Sequence, residues 1–183
     1  MRVKVVIVGN AGVGKTSFLS TFANKVYPSI TLPYAIDGYM TQIAVFGRQF
    51  NVGFWDTAGQ KSYDQLRPLV YPQTDIFLLC YDISDRSRFN ELEKRWKPEL
   101  SRHCPGIPII VLGLKSDLRK SDLNGNCISV DEGIDMSVKL EAYSHVDCSS
   151  LLGLGVDEAV HEAMVVHLAH TGKLKHKQRC TLM

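Results

Sequence analysis

The apolar run Val3–Val8 ends directly in Gly9-Asn10-Ala11-Gly12-Val13-Gly14-Lys15-Thr16, and no other stretch of the chain limits its fold as strongly. The run is bounded by glycine and too short for a helix. It reads as a strand buried on both faces, the pattern of a parallel sheet. The eight residues that follow match the spacing GxxxxGK[ST]. Glycines there let backbone N–H groups turn inward around phosphate oxygens, a lysine reaches the outer phosphates, and a hydroxyl can ligate Mg²⁺. SFLSTFANK comes next, so Ser17 begins a helix whose positive end adds to the attraction for anions. Gly9 to Ser17 are therefore the candidate phosphate-binding residues, with Lys15 stabilising charge and Thr16 facing a metal.

The rest of the chain alternates strand and helix. Phe77–Tyr81 and Ile109–Leu112 are short apolar runs like the first, and Ser87–Arg102 carries Phe89, Leu92 and Trp96 at helical spacing. Gln42–Phe46 and Phe50–Trp55 flank a Gly47-Arg48 turn and predict a hairpin. Ser129 and Glu132 form a capping-box pattern opening a helix through Val138 and Leu140. Val156–Ala169 reads as amphipathic, with Gly172 as its stop. This order predicts an α/β fold, a mostly parallel sheet with helices on both faces. At 183 residues one domain is expected over 1–172, with 173–183 as a basic tail. A net charge of +2 is too small to point to nucleic acid. The five cysteines, Cys80, Cys104, Cys127, Cys148 and Cys180, form no CxxC pair, which suits a reducing compartment. MRVKVVIVGN lacks a signal-peptide pattern, and no apolar run approaches the roughly 20 residues that cross a bilayer. A cytosolic, monomeric domain is expected, unless something attaches it to a membrane.

Trp55-Asp56-Thr57-Ala58-Gly59-Gln60 ends a predicted strand with an acid, about forty residues after the phosphate loop. Asp56 at the carboxyl end of that strand can hold Mg²⁺ through water, and Gly59 can offer its N–H to a third phosphate. Gln60 can orient an attacking water. At this point WDTAGQKSYDQLRPLVYPQTDIFLLCYD and ELSRHCPGIPIIVLGLKSDLR resemble Rho/Rac-type small GTPases of the Ras superfamily. The resemblance runs from Arg2 to about Arg119, resumes near Ile128 and includes the tail. It implies a Ras-like G domain with a six-stranded, mostly parallel sheet, binding GDP or GTP with Mg²⁺. It also implies an exchange factor, a GTPase-activating protein, effectors and a guanine-nucleotide dissociation inhibitor as partners.

Under that resemblance Gln60 and Lys15 are catalytic, and Thr16 and Asp56 face the metal. Leu114-Lys115-Ser116-Asp117 takes the place of the guanine-reading [NT]KxD motif, where Asp117 accepts both guanine ring hydrogens and the Lys115 stem covers the base, with Leu118 beside it. Asp147-Cys148-Ser149-Ser150-Leu151 resembles the last guanine loop, and Tyr27 the ring against the nucleotide. YPSITLPYAIDGY covers the first switch, with Thr31, Tyr34, Ile36, Asp37 and Tyr39 in it, while Tyr63 and Leu66 fall in the second. There are departures. Leu114 replaces an Asn or Thr whose hydrogen bond ties base loop to phosphate loop, a bond worth about 1 kcal/mol. Ala11 stands close to the attacking water, Tyr34 replaces the Mg²⁺-ligating threonine, and the Rho insert after Asp117 is shortened.

Lys173, Lys175, Lys177 and Arg179 lead into Cys180-Thr-Leu-Met, a C-a-a-X pattern whose methionine selects farnesyl. The basic residues add about 1 kcal/mol each on an anionic leaflet. HEAMVVHLAH does not fit a zinc helix, because position 165 is valine, and its histidines read as helix-surface residues. Cys80 and Cys148 read as core. Two alternatives stand beside a hydrolysing switch: a scaffold holding guanine nucleotide without turnover, and a small-molecule P-loop kinase. The kinase lacks an arginine-rich lid and leaves DTAGQ unexplained.

Overall fold

Six strands carry the molecule: β1 (Arg2–Gly9), β2 (Gly38–Val45), β3 (Arg48–Asp56), β4 (Ile76–Asp82), β5 (Ile109–Leu114) and β6 (Ser144–Cys148). In the computed structural model, which describes residues 1–28 and 38–173, they form one sheet in the order β2-β3-β1-β4-β5-β6. Among the described residues β2 and β3 are the one strand pair that runs antiparallel. Val5 and Ile7 of β1 point into one buried cluster and Val6 and Val8 into the other, as expected for the apolar stretch Val5–Val8. The helices are α1 (Lys15–Asn24), α2 (Arg86–Phe89), α3 (Lys97–His103), α4 (Val130–Lys139) and α5 (Val156–His170). The first cluster packs Phe18 and Leu19 of α1 and Val160, Met164 and Leu168 of α5 on the sheet. The second packs Leu92, Trp96, Leu100, Met136 and Leu140 on the opposite face.

Several expectations shift. The predicted crossover helix is α2 and α3 joined through a π-helical turn, Leu92–Trp96. The hairpin turn sits at Phe46-Gly47, not Gly47-Arg48, because both residues take positive φ, 50° and 71°, which suits a two-residue turn between twisted strands. A non-glycine residue rarely adopts that conformation, and here the Phe46 ring rests edge-on 6.2 Å from His161. The α5 helix is amphipathic only in its first turns. From Ala163 to Leu168 every residue is buried, including His167 at 4% exposure, which corrects the surface reading of that histidine. His161 and His170 are exposed as expected, and Cys80 and Cys148 are core. The capping box at α4 is present in both directions. Thr31, Tyr34, Ile36, Asp37 and Cys180 lie outside the described residues. Among the described residues no helix is long and apolar enough to cross a membrane.

Candidate nucleotide site

Five parallel strands point their carboxyl ends at one edge of the sheet. The register places Ile7 beside Asp56, Gly9 beside Cys80, Asp82 beside Leu114, and Leu114 beside Cys148. In open α/β sheets the crevice outside this edge is where ligands bind.

The phosphate loop joins β1 to α1. Gly12 and Gly14 adopt φ of 80° and 108°, left-handed values that a side chain would strain, and Gly14 caps α1. Lys15 is 6% exposed, and its Nζ donates to the carbonyls of Gly9 and Asn10, each at 2.8 Å. Burial holds this ammonium below the ordinary lysine range, against the pull of Cys80 and Asp56. A buried cation held this way is poised for an anion. Thr16 Oγ1 donates a short hydrogen bond to the buried Asp56 carboxylate. A hydroxyl and a carboxylate are the hard oxygen donors Mg²⁺ takes, and it commonly completes its shell with phosphates and water. Among the described residues no group of three or more His, Cys, Asp and Glu could cage a metal, so two protein donors fit that mode.

Beyond Asp56 the chain turns over the phosphate loop. Thr57 Oγ1 donates to Ile7 O at 2.7 Å, and a Cβ built on Gly59 would lie 2.5 Å from Ala11 N and closer still to Gly9 O. Only glycine lets this turn lie flat there. Gln60 follows, partly exposed, capping a 3₁₀ turn at Lys61–Tyr63. Tyr63 and Leu66 are exposed on the same segment, while Tyr39 packs on Phe22 and Phe54.

On the base side Lys115 adopts φ 64° and opens a 3₁₀ helix, Ser116–Ser121. Its Nζ reaches Asp82 Oδ2 at 2.6 Å. Ser149 Oγ donates to Asp117 Oδ1 at 2.5 Å, joining the two base loops, and Thr21 Oγ1 donates to Ser150 O at 3.3 Å. Leu118 packs against the second core cluster, Ser17 is half-buried on α1, and Leu151 and Tyr27 are exposed. Leu114 is 1% exposed, and its Cδ1 lies 3.7 Å from the Cβ position of Gly14. An apolar contact therefore stands where the family's hydrogen-bonded tether would lie, in line with the loss expected from Leu114. The structure brings the candidate phosphate, metal and base residues, with Gln60, to one edge of the sheet.

Sequence reasoning missed the support behind the site. Trp96 Nε1 and Arg95 Nη1 both donate to Asn10 Oδ1, at 2.8 and 3.2 Å, and Arg67 Nη1 donates to Ala58 O at 3.0 Å. Residues 85 and 86 positions apart carry no local signal of meeting. A family model described as Ras family matches residues 4–168.

Proposed function

The chain belongs to the Ras family, a family of small GTPases that bind guanine nucleotides and Mg²⁺, and from that premise we propose that it is a Rho-like switch that hydrolyses GTP slowly. What supports this most is one convergence: buried Lys15, the Thr16–Asp56 pair and the Gly59–Gln60 turn meet over a single loop. Lys15 and the loop N–H groups bind and hold the outer phosphates, and Gln60 orients the attacking water. Thr16 and Asp56 hold Mg²⁺, which when bound neutralises charge on the phosphates. Asp117, fixed by Ser149, selects guanine, and Lys115 lies along the base. Rapid turnover draws an arginine from a GTPase-activating protein, worth about 10³–10⁵-fold. Exchange factors and effectors meet the switch segments, with actin or membrane processes as the output. The Cys180 tail carries a farnesyl-type lipid onto an anionic cytosolic leaflet.

The test is binding of mant-GDP and mant-GTP with and without Mg²⁺, followed by single-turnover hydrolysis of loaded GTP. Tight Mg²⁺-dependent binding and slow turnover lost in Gln60→Leu are expected. Tight binding with no turnover would favour the nucleotide-holding scaffold instead. Absence of guanine binding would overturn both.

A further inference from the structure

Behind the Gln60 turn lies a cluster that the proposed chemistry does not use. Trp96 is buried in the second core, at the end of the π-helical turn. The guanidinium carbons of Arg67 and Arg95 lie 4.5 and 4.7 Å from its ring centroid. The π turn is wider than an α turn, so the neighbouring side chains Arg95 and Trp96 both reach one oxygen, Asn10 Oδ1. Asn10 is also where the phosphate lysine ends, since its carbonyl accepts Lys15 Nζ at 2.8 Å.

Arg95 also reaches the other loop. Its Nη2 donates to Asp64 Oδ1 at 2.7 Å and lies 3.5 Å from Gly59 O, while Glu91 Oε2 sits 3.5 Å from Nη1. The Arg95 side chain is 18% exposed, while its Asp64 partner is 42% exposed. Arg67 joins the same carboxylate at 2.8 Å and is tied to Glu99 by two bonds, at 2.9 and 2.7 Å. Burial works against both partners' charges, yet the paired hydrogen bonds hold Asp64 below the usual carboxylate range and Arg67 above the usual guanidinium value. The segment carrying Gln60 is thus held at Ala58, at Gly59 and at Asp64, and the Gly59 anchor runs through Arg95 to the phosphate loop.

We infer that Arg95 is a positioning residue for GTP hydrolysis, a planar fork that fixes the Gln60 turn relative to Asn10 and so sets the line from water to phosphate. The inference rests on the hydrolytic reading of the same site. Arg95 does not touch the reacting atoms; it acts through Gly59, Asp64 and Asn10. A lysine would keep the charge but lose the fork that serves several acceptors at once.

The full chain, loaded with GTP and Mg²⁺, tests this through Arg95→Ala, Arg95→Lys, Asn10→Ala and the Asn10→Ala/Arg95→Ala double variant. Single-turnover hydrolysis in Arg95→Ala is expected to fall about tenfold or more, as small misplacements near a reacting centre do. Mant-GDP release should change by less than about threefold, and Arg95→Lys should recover part of the rate. The double variant should be no slower than the worse single one, because both cut one link. An unchanged rate in Arg95→Ala, or losses that multiply in the double variant, would overturn the inference. If the parent turns over no faster than Gln60→Leu, the hydrolytic reading fails by itself, and Trp96 emission in a Trp55→Phe background decides the clamp. An emission shift on exchanging GDP for a non-hydrolysable GTP analogue, lost in Asn10→Ala, supports it; an equal shift in both overturns it.

Discussion

Gly59→Ala adds one methyl group at a place where the structure leaves no room for it. Its Cβ would stand 2.5 Å from Ala11 N and closer to Gly9 O, whereas ordinary contact begins at 3.4 Å. Every near atom is backbone of the phosphate loop, so no side chain can rotate away. The two loops must separate by about 1 Å, and overpacking of this kind costs about 1–3 kcal/mol. For a chain of this length that is a Tm lower by about 2–12 °C. Gly59 does not sit in the left-handed region, so backbone strain adds nothing and the effect is steric. On the proposed function the same separation would move the Gly59 N–H and Gln60 from the outer phosphates, so GTP should lose affinity more than GDP. Gly12→Ala makes the control: a Cβ there meets nothing within 4 Å, and the substitution costs only the strain of φ 80°. Differential scanning fluorimetry of both variants, with mant-GTP and mant-GDP release rates, measures the contrast. A Gly59→Ala protein within about 1 °C of the parent, with unchanged GTP release, would refute the close apposition of the two loops.

Two further outcomes follow from buried groups. His145 bonds Tyr81 OH at 3.0 Å beneath α4, and burial holds its pKa below the ordinary 6.5 despite nearby Asp147. The unfolded chain then takes up a proton that the folded one refuses, so stability is whole above 6.5 and falls as pH drops below it. His145→Gln should flatten the decline in Tm between about pH 7 and 5.5, leaving a residue from His167, whose shift has the same sign; an unchanged slope would show that His145 does not carry it. Leu114→Asn offers the phosphate loop a polar partner in place of a methyl group, and one hydrogen bond of about 1 kcal/mol should slow mant-GDP release about fivefold. Faster release would mean that the buried amide found no partner.

Much of the site was legible because its geometry is local. Glycines at positive φ, a lysine and a hydroxyl at fixed spacing, and a strand that ends in Asp56 are properties of short segments. The Ser129–Glu132 box closed as its spacing demands. β6 was harder to see. Ser144-His145-Val146-Asp147-Cys148 has no apolar run, and it is a strand because β5 offers it a parallel edge from Ile110 to Leu114. The burial of His167 likewise belongs to contacts far along the chain, among them the Phe50 ring 6.3 Å away.

The sequence by itself determined the α/β layering, the glycine-lysine loop after β1 and the candidate site residues that end up at the carboxyl edge of the sheet, because backbone freedom, periodicity and spacing act within a few residues. Only the tertiary structure decided what braces that edge. Asn10 reads in the sequence as one more loop residue, yet its side-chain oxygen receives Trp96 and Arg95 from a π-helical turn in the connection between β4 and β5. Leu114 reads as a lost hydrogen bond, yet it fills the space beside Gly14 with a methyl group. Such pairings belong to no segment; they exist once β1, β4 and β5 stand side by side and the helices between them are packed down, and hydrogen bonds and close contacts act only over the few ångströms this creates.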